Sequence, residues 1–359
     1  MTRSRAAEKQ ATRGRLVGGC RLSVEGVASR STQHLQKSGN RYVILSPCRN
    51  EASLVRRTLD SVVGQTVPPS LWVIIDDGST DETPQILSEY AAAHSFIKVL
   101  TRRDRGHRDV GPGVIDAFYA GLETVDLDEF EFLCKLDLDV DLPENYFELL
   151  LARMGKDPRL GSCSGKAYYE GADGRLIKEV ISDDYSTGQT KFYRTACFRQ
   201  IGGFVREVMW DGIDCHHSRM LGWKACSLDE PGLRFLHLRP MGSSQQSIIH
   251  GRVRHGRGQH FMGTSFAFIF ASAVFRIFKP PYIIGGAAIF AGFVAAMIQR
   301  QRRYPDLEFR RYLRKYQWHC LLYGKRRAQK AFEHRGQSAW NPDRGTEKAG
   351  PAMVPDATV

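Results

Sequence analysis

The feature that most constrains this chain is a largely apolar run, Phe130–Leu136, that breaks off into carboxylates at alternate positions, Asp137, Asp139 and Asp141. If the strand continues through these positions, its period of two puts Asp137 and Asp139 on the same side. Like charges this close raise each other's pKa, and a cation between them relieves the repulsion. Hard divalent ions such as Mg²⁺ take a few carboxylates together with phosphate oxygens. The run therefore predicts a metal and diphosphate site at a strand end, with a solvated acidic loop as the alternative.

Short apolar runs alternate with segments of helical period from Arg41 onward. Strands are predicted at Tyr42–Ser46, Leu71–Ile75, Ile97–Leu100 and Phe130–Leu136, and helices at Glu51–Val63, after Asp81, at Val114–Val125 and at Glu144–Arg153. This alternation predicts a parallel sheet with helices on both faces. Ligands bind such sheets at the carboxyl ends of the strands. Pro47–Glu51, Asp76–Asp81 and Asp137–Asp141 should therefore converge at one edge.

Three motifs at these strand ends resemble signatures of the family 2 glycosyltransferases, which are nucleotide-sugar enzymes of the GT-A fold. Residues 47–51 match the family's Pro-x-x-Asn-Glu, residues 73–81 match its Asp-Asp-Gly-Ser-Thr-Asp, and residues 135–139 match its Asp-x-Asp. The resemblance covers about Arg41 to Trp223. It implies an α/β, GT-A (Rossmann-like) domain with a mixed central sheet, to which a C-terminal helical, partly apolar extension is added. It also implies a UDP- or GDP-sugar donor and a divalent metal, Mg²⁺ or Mn²⁺.

By this resemblance, the strand-end carboxylates divide into two groups. Asp76 or Asp77 would accept hydrogen bonds from the base and the ribose, while Asp137 and Asp139 would hold the metal and the diphosphate. A turn with a helix cap at Asp81 is the alternative for the second motif. Basic, glycine-rich segments suit phosphate oxygens. The predicted nucleotide-sugar set is Pro47, Glu51, Asp76, Asp77, Arg105, Asp137, Asp139, Arg254 and Arg257, and the predicted metal ligands are Asp139, Asp137 and His237.

The predicted general base is Asp211. Counting back from Gly222-Trp223 without a gap places residues 210–213 on the family's Glu-Asp-x-Asp, although Trp210 and Ile213 replace its outer acids. An inverting transfer needs one carboxylate to deprotonate the acceptor hydroxyl, and a single Asp suffices. Asp214 is the reserve candidate, and a helix N-cap is the alternative role for Asp211. The processive members' Gln-x-x-Arg-Trp is absent, which favours a single addition over chain elongation.

The formal net charge of +12 is concentrated towards the two ends of the chain. Basic ends favour an anionic partner, and composition does not choose among nucleic acid, a membrane face and a phosphorylated substrate. Residues 1–40 are predicted to form a disordered basic tail. The eight cysteines contain no Cys-x-x-Cys pair, so they indicate neither a zinc site nor a disulfide framework and suit reduced thiols in a cytosolic protein.

The most apolar stretches are Phe261–Phe278 and Tyr282–Ile298. They fit a buried helical hairpin, an interfacial or re-entrant hairpin, or a short transmembrane pair. The basic residues that follow, 300–303, favour the cytoplasmic face of a membrane. Phe309–Tyr323 is predicted as a basic amphipathic helix. The predicted domains are 41–260, with a nucleotide-sugar half at 41–143 and an acceptor half at 144–260, then a helical extension at 261–334 and a disordered tail at 335–359.

These observations predict an inverting, metal-dependent glycosyltransferase that acts at the cytoplasmic face of the cell membrane, peripheral or hairpin-anchored. The acceptor would be lipid-linked or a glycan, in cell-surface polysaccharide or glycolipid synthesis. The alternatives are a polyprenyl-phosphate glycosyltransferase, a sugar-phosphate nucleotidyltransferase and an inactive basic adaptor that binds membranes or nucleic acid. The nucleotidyltransferase would need a glycine-rich basic signature at the first strand–helix turn. The adaptor would need neither Asp139 nor Asp211, and no nucleic-acid partner is expected.

Overall fold

A seven-stranded mixed sheet positions the strand-end motifs. The computed structural model describes residues 41–106, 111–171, 173–179, 181–239, 248–278 and 282–343, so the predicted tail at 1–40 lies outside the described residues. The strands of the sheet are β1 Tyr42–Cys48, β2 Leu71–Asp76, β3 Ile97–Thr101, β4 Phe132–Leu136, β6 Leu160–Ser164, β9 Thr190–Arg194 and β10 Lys224–Ser227. Their order is β10-β6-β9-β4-β1-β2-β3.

The first four strands are parallel, as the alternation predicts. β1 lies between β2 and β4, and β2 also pairs with β3. Cys48 is opposite Asp76 and Leu45 is opposite Lys135, so the carboxyl ends of these strands meet at one edge. β9 runs antiparallel between β4 and β6, which makes the sheet mixed. The predicted α/β class with a mixed central sheet is therefore confirmed.

Helices cover both faces of this sheet. They are α1 Val55–Val63, α2 Thr83–Ala93, α3 Pro112–Leu122, α4 Tyr146–Lys156, α5 Thr195–Gln200 and α6 Trp210–Met220. All seven residues of β1 are buried. Tyr42 and Ile44 belong to one hydrophobic cluster, while Val43 and Leu45 belong to the cluster on the opposite face. A strand buried on both sides appears in the sequence as a continuous apolar run, which is why β1 could be predicted.

A second, four-stranded sheet closes against the same edge. It consists of β5 Val140–Asp141, β7 Lys166–Glu170, β8 Leu176–Lys178 and β11 Arg234–His237, in the order β5-β11-β7-β8. β11 is antiparallel to β5, with His237 opposite Val140. The amide of Leu238 also donates to the carbonyl of Asp139, 2.8 Å away. This register brings a histidine far along the chain beside the strand-end carboxylates.

The C-terminal extension is helical, as predicted, but it begins earlier than residue 261. Its helices are α7 Ile248–Met262, α8 Phe266–Arg276, α9 Ile284–Ile298, α10 Leu307–Tyr323 and α11 Lys325–Gly336. A Cβ added to Gly256 on α7 would lie 1.9 Å from the carbonyl oxygen of Ile289 on α9. Glycine permits this close backbone approach, so α7 belongs with the extension and the predicted boundary falls inside it. Among the described residues, no helix combines the length and apolar character required to cross a bilayer.

A buried charge cluster fixes the last helices to α6. Asp184 is 1% exposed, and its carboxylate lies 2.9 Å from the ammonium of Lys325 on α11 and 4.0 Å from the guanidinium of Arg219 on α6. The hydroxyl of Tyr316 on α10 donates to the same carboxylate at 3.0 Å. Although burial opposes the charged form, Lys325 and Arg219 lower the pKa of Asp184 to about 2.

The chain continues to pack beyond α11. The rings of Trp340 and Trp223 meet edge to face, with centroids 5.7 Å apart. The side-chain amide of Gln200 donates to the carbonyl oxygens of Asn341 and Pro342, each 2.9 Å away. Residues 336–343 are thus part of the folded body, and the predicted disordered tail from residue 335 is wrong over this stretch.

We expect Asp184→Asn to change the acid stability of the protein. A carboxyl group with a depressed native pKa stabilises the fold above its unfolded value, near 3.8, and this contribution is lost as pH falls through about 2. The difference corresponds to about 2 kcal/mol of unfolding free energy. Urea unfolding from pH 5 downwards should therefore show a steeper loss for the wild type than for Asp184→Asn. Glu123→Gln is the control because Glu123 is an exposed carboxylate, and identical pH slopes for wild type and Asp184→Asn would contradict the assignment.

Candidate active site

The first two motifs form one hydrogen-bonded unit at the sheet edge. Asn50 has a left-handed φ of 54°, which asparagine tolerates better than most residues, and its side-chain oxygen accepts from the amide of Thr80 at 2.8 Å. The carboxylate of Asp81 accepts from the amides of Thr83 and Ala52, at 3.0 and 3.1 Å. Asp81 therefore has the local structural role that the cap alternative predicts, and it ties the turn after β2 to the turn after β1.

Asp76 is buried at the end of β2 with one oxygen unused. Its side chain is 1% exposed, and Oδ1 accepts from the amide of Ser79 at 2.9 Å. Oδ2 is buried and has no hydrogen-bond partner within the described part of the chain. A buried carboxylate oxygen without a donor is costly. The arrangement suits a ligand that brings a donor, such as a base N–H or a sugar hydroxyl.

Asp77 is instead held by arginines of the segment after β3. Arg102 lies 2.7 Å from one carboxylate oxygen, and Arg105 contacts the other. Arg49 joins the same group because its guanidinium donates to the carbonyl of Asp77, at 2.7 Å. Arg105 thus lies at the predicted edge, and its phosphate role stays a prediction. Asp77 could meet a nucleotide only by exchanging its arginine partners.

Gly78 allows the segment after β3 to cross over the second motif. Its φ is +75°, and a Cβ at this position would lie 2.4 Å from the Cα of Asp104. Asp104 in turn accepts from Arg49 at 2.6 Å. A side chain here would displace this segment, so glycine is required by the close approach as well as by the positive φ. Residues 107–110, including Arg108, lie outside the described residues.

Asp137 and Asp139 lie in the connection after β4 rather than in the strand. β4 ends at Leu136, so the expectation that strand alternation aligns the two side chains is wrong. Asp137 contacts the ammonium of Lys135, and Asp139 Oδ2 lies 3.7 Å from His237 Nε2. Desolvation raises the pKa of Asp137, the charge of Lys135 opposes this shift, and the charge of Asp139 adds to it. The third acid of the run, Asp141, instead forms a surface ion pair with Arg57 at 2.6 Å.

His237 bridges two carboxylates at this edge. Its Nδ1 lies 2.7 Å from Glu179 Oε1, and its other nitrogen faces Asp139. Burial favours the neutral ring, but Asp139 and Glu179 outweigh it and raise the pKa of His237 to about 9. No sequence pattern indicates Glu179 as a site residue. Arg239, whose guanidinium contacts the buried Glu51, is indicated only by its basic character two positions after His237.

The residues at this edge fit a divalent cation bound together with phosphate. No group of three or more potential ligand side chains is gathered within the described ranges. However, Asp139 Oδ1 is buried and has no hydrogen-bond partner among the described residues. Mg²⁺-type ions take one or two carboxylates and complete their shell with substrate phosphates and water. Asp137 and Asp139 match that donor set, and the role of His237 as a third ligand stays a prediction.

Asp211 lies in the first turn of α6, close to the same edge. Its Oδ2 is 3.5 Å from the point where a Cβ on Gly188 would lie. The carbonyl of Gly188 accepts from the Lys135 ammonium at 2.9 Å, and that ammonium also contacts Asp137. Asp211 is partly exposed, so it can meet a ligand. The structure therefore brings the predicted base and the Asp-x-Asp segment around one glycine.

Asp214 is a structural residue. It is 2% exposed, its carboxylate contacts the ammonium of Lys191, and it accepts from the hydroxyl of Tyr193. Burial raises the pKa of Asp214, and Lys191 opposes this shift. Because its carboxylate is enclosed, Asp214 cannot reach an acceptor, and its assignment as a reserve base is corrected.

Trp210 occupies the position where the family usually has a glutamate, and its ring contacts two lysines. Its ring lies 5.3 Å from the ammonium of Lys135 and 5.5 Å from that of Lys191. Aromatic faces attract cations, so the indole covers both lysines beside the predicted base. The preceding residue, Met209, has a left-handed φ of 73°. Such strain in a non-glycine residue is typical of functional sites.

Arg254 and Arg257 lie beside a cavity near the start of α6. They line a cavity of about 330 Å³ together with Glu207, Val208, Gly258, Phe261, Gln301 and Arg302. None of Asp76, Asp137 and Asp139 is part of this lining. The cavity borders the segment before α6, since a Cβ on Gly258 would lie 2.6 Å from Met209 Cγ. The prediction that both arginines bind the nucleotide sugar thus gains no support from their position.

Comparison with known families agrees with this geometry. The model of glycosyl transferase family 2 matches residues 43–207, which include all three strand-end motifs. The chain carries a family 2 glycosyltransferase domain. The predicted resemblance is therefore confirmed, and the matched residues include β2 to β9 and most of β1. Asp211 lies four residues beyond the match.

Part of the chain is also similar in sequence to named proteins. The poly-β-1,6-N-acetyl-D-glucosamine synthase of Staphylococcus epidermidis is 28% identical over 135 residues, which cover 37% of this chain and 30% of the relative. The chondroitin synthase of Escherichia coli is 27% identical over 226 residues, covering 59% of this chain and 29% of the relative. The chain thus spans less than a third of the length of these relatives.

Solved structures of glycosyltransferases align with most of the chain. A mannosyltransferase from Pyrobaculum calidifontis, in complex with GDP-mannose and Mn²⁺, is 17% identical, with a TM-score of 0.45 and coverage of 88% of this chain and 94% of that chain. At this TM-score the structural similarity does not support the fold assignment. That assignment rests on the strand order and on the family 2 match.

Proposed function

We propose that the chain transfers a sugar from a UDP- or GDP-sugar to an acceptor hydroxyl with inversion, at the cytoplasmic face of a membrane. The observation that carries this proposal is a pair of buried carboxylate oxygens at one sheet edge, Asp76 Oδ2 and Asp139 Oδ1, which have no hydrogen-bond partner among the described residues. In this proposal Asp76 Oδ2 accepts a hydrogen bond from the base or ribose, and Asp139 Oδ1 binds a cation together with the diphosphate. The family 2 match over this edge supports the same chemistry.

Each part of the edge has a separate task in this proposal. Asp76 accepts from the nucleoside, and Gly78 keeps the segment that carries Arg105 packed over the turn. Asp137 and Asp139 would hold Mg²⁺ or Mn²⁺, and the ion would neutralise charge on the departing nucleoside diphosphate. Asp211 accepts the proton of the acceptor hydroxyl. Trp210 keeps two lysines in place beside it, which adds positive charge near the developing anion.

The acceptor is proposed to be lipid-linked or a glycan of a cell-surface polysaccharide or glycolipid. The relatives named as polysaccharide synthases support a glycan product. A lipid-linked acceptor is favoured by the apolar helices α8 and α9, which leave large hydrophobic side chains exposed. A polyprenyl phosphate as the acceptor would use the same nucleotide half.

The experiment is a panel of UDP- and GDP-sugars offered to the purified full-length protein, with Mn²⁺ or with chelator. We expect one donor to bind and to release its nucleoside diphosphate when a membrane lipid extract is added, in the presence of metal only. ATP serves as the control because it is a nucleotide with no sugar attached to its terminal phosphate. Failure of every nucleotide sugar to bind in the presence of Mn²⁺ would overturn the proposal.

A further inference from the structure

The outward faces of α8 and α9 expose an unusual number of large apolar side chains. On α8, Phe266, Phe270 and Val274 recur every four residues and are 51%, 53% and 42% exposed. This spacing places them on one side of the helix. Around them, the exposed set continues with Phe275, Ile277, Phe278, Tyr282, Ile283, Ile284, Met297 and Ile298. We call this set the apolar face.

The two helices present the apolar face as one surface. The ring of Phe290 on α9 lies 5.6 Å from that of Phe266 and 5.8 Å from that of Phe270, centroid to centroid. α9 contains no charged residue, and its glycines lie on the buried side, where a Cβ on Gly292 would be 2.2 Å from the carbonyl of Val253 on α7. The other side of α9 is therefore directed outward and is equally apolar. Exposed apolar patches of this kind mark interaction sites.

The charged residues within the segment that carries the apolar face all have one sign. Residues 261–305 include no aspartate or glutamate. Arg276 ends α8, while Arg300 and Arg303 follow α9 and are exposed. An anionic surface complements this arrangement. A second copy of the chain placed face to face would bring arginines against arginines, which opposes self-association through this surface.

We propose that the apolar face docks on the cytoplasmic leaflet of an anionic membrane and enters it without crossing. This deepens the proposed membrane location by naming the surface, and it rests on that location rather than on the transfer reaction. α9 has 15 residues, which correspond to a length of about 22 Å, against a hydrocarbon core of about 30 Å. Helices that lie in the interface bury an apolar side and keep basic residues at the headgroups. Docking also brings the extension that packs against α6 to the surface that holds a lipid-linked acceptor.

The test is sedimentation of the full-length protein with two kinds of vesicle, one of phosphatidylcholine and one of equal parts phosphatidylcholine and phosphatidylglycerol. We expect binding to the anionic vesicles and weaker binding to the neutral ones. Phe270→Ser combined with Phe278→Ser should lower the partition coefficient about a hundredfold, since each buried aromatic side chain contributes about tenfold or more. Arg300→Glu should weaken binding to the anionic vesicles alone. Leu176→Ser is the matched control, because Leu176 is 64% exposed on β8.

The circular dichroism spectrum and the melting temperature of every variant check that the fold is intact, independently of nucleotide binding. The docking surface is refuted if the serine variant binds vesicles like the wild type, or if the wild type ignores vesicles and forms a dimer that the serine variant loses. A protein that binds vesicles through the apolar face but binds no nucleotide sugar would refute the proposed reaction and leave the docking surface in place. The two proposals therefore fail in distinguishable ways.

Discussion

Replacing Asp211 by Asn is expected to lower turnover by about 10²–10⁴-fold, the usual contribution of a general base. Asparagine keeps the shape of the side chain but cannot take a proton from the acceptor hydroxyl. Because the base acts only in the transfer step, donor affinity should stay near the wild-type value. Asp211 is partly exposed in the first turn of α6 and forms no side-chain ion pair within the described ranges, so the melting temperature should change little. Steady-state kinetics and calorimetric titration with the donor diphosphate measure the two quantities separately.

Asp214→Asn is the matched control, three residues along the same helix. Its carboxylate contacts Lys191, and the two side chains are 1% and 0% exposed. Removing one partner of a buried ion pair leaves the other charge uncompensated and costs about 3–5 kcal/mol of unfolding free energy. We therefore expect a large drop in stability for Asp214→Asn and a large drop in turnover for Asp211→Asn. The opposite assignment of the two effects would show that Asp214 is the base.

Asp139→Asn is expected to weaken nucleoside diphosphate binding in the presence of Mn²⁺ by about 100-fold or more. Changes to residues that only support metal ligands typically cost 10–100-fold, and Asp139 is proposed as a direct ligand. An amide oxygen carries no formal charge, so the attraction for the cation is lost while the volume of the side chain is kept. Calorimetric titration with UDP and GDP, with Mn²⁺ and with chelator, measures this change.

Asp141→Asn is the control for the same acidic run. Asp141 belongs to the alternating acids but pairs with Arg57 on the surface, where the two side chains are 34% and 56% exposed. Exposed pairs contribute about 0–1 kcal/mol, so this variant should bind nucleotide like the wild type. Full binding by Asp139→Asn in chelator would rule out the metal role, and an equal loss in Asp141→Asn would indicate a general charge effect.

Local patterns predicted the nucleotide half well because three of its strands, β1, β2 and β4, are buried on both faces. β1 and β2 are continuous apolar runs that end in polar motifs, so their direction and their common edge follow from period and order alone. The same pattern predicts that Asp76–Asp81 lie at this edge, whereas the nucleotide role of Asp76 follows from the family resemblance. The failure at Asp137 and Asp139 shows the limit of this reasoning. β4 ends one residue before Asp137, and strand alternation says nothing about side chains in a turn.

The remaining site residues come from distant parts of the chain. Glu179 and Arg239 reach the edge through the pairing of β11 with β5 and β7, and no local pattern announces such pairing. Lys191 and Asp214 are charged but fully buried, a combination that sequence alone assigns to the surface. The position of Arg254 and Arg257 depends on the packing of α7 against α9, where glycine contacts set the distance. In each case the position of the side chain is determined by contacts between residues that are distant in the sequence.

The carboxylates at the sheet edge are already matched by the protein's own cations. Asp137 has Lys135, Asp139 has His237, Glu51 has Arg239, and Asp77 has Arg102 and Arg105. A metal alone would have to displace cations that then have no partner, and a diphosphate alone would meet carboxylates of its own sign. When both bind, the displaced side chains can turn to the phosphates while the carboxylates keep a cation. If the edge binds a metal and a diphosphate as proposed, the two ligands would be thermodynamically coupled, and by reciprocity each would raise the affinity for the other by the same factor. Either ligand alone would then bind more weakly than it does when the other is present.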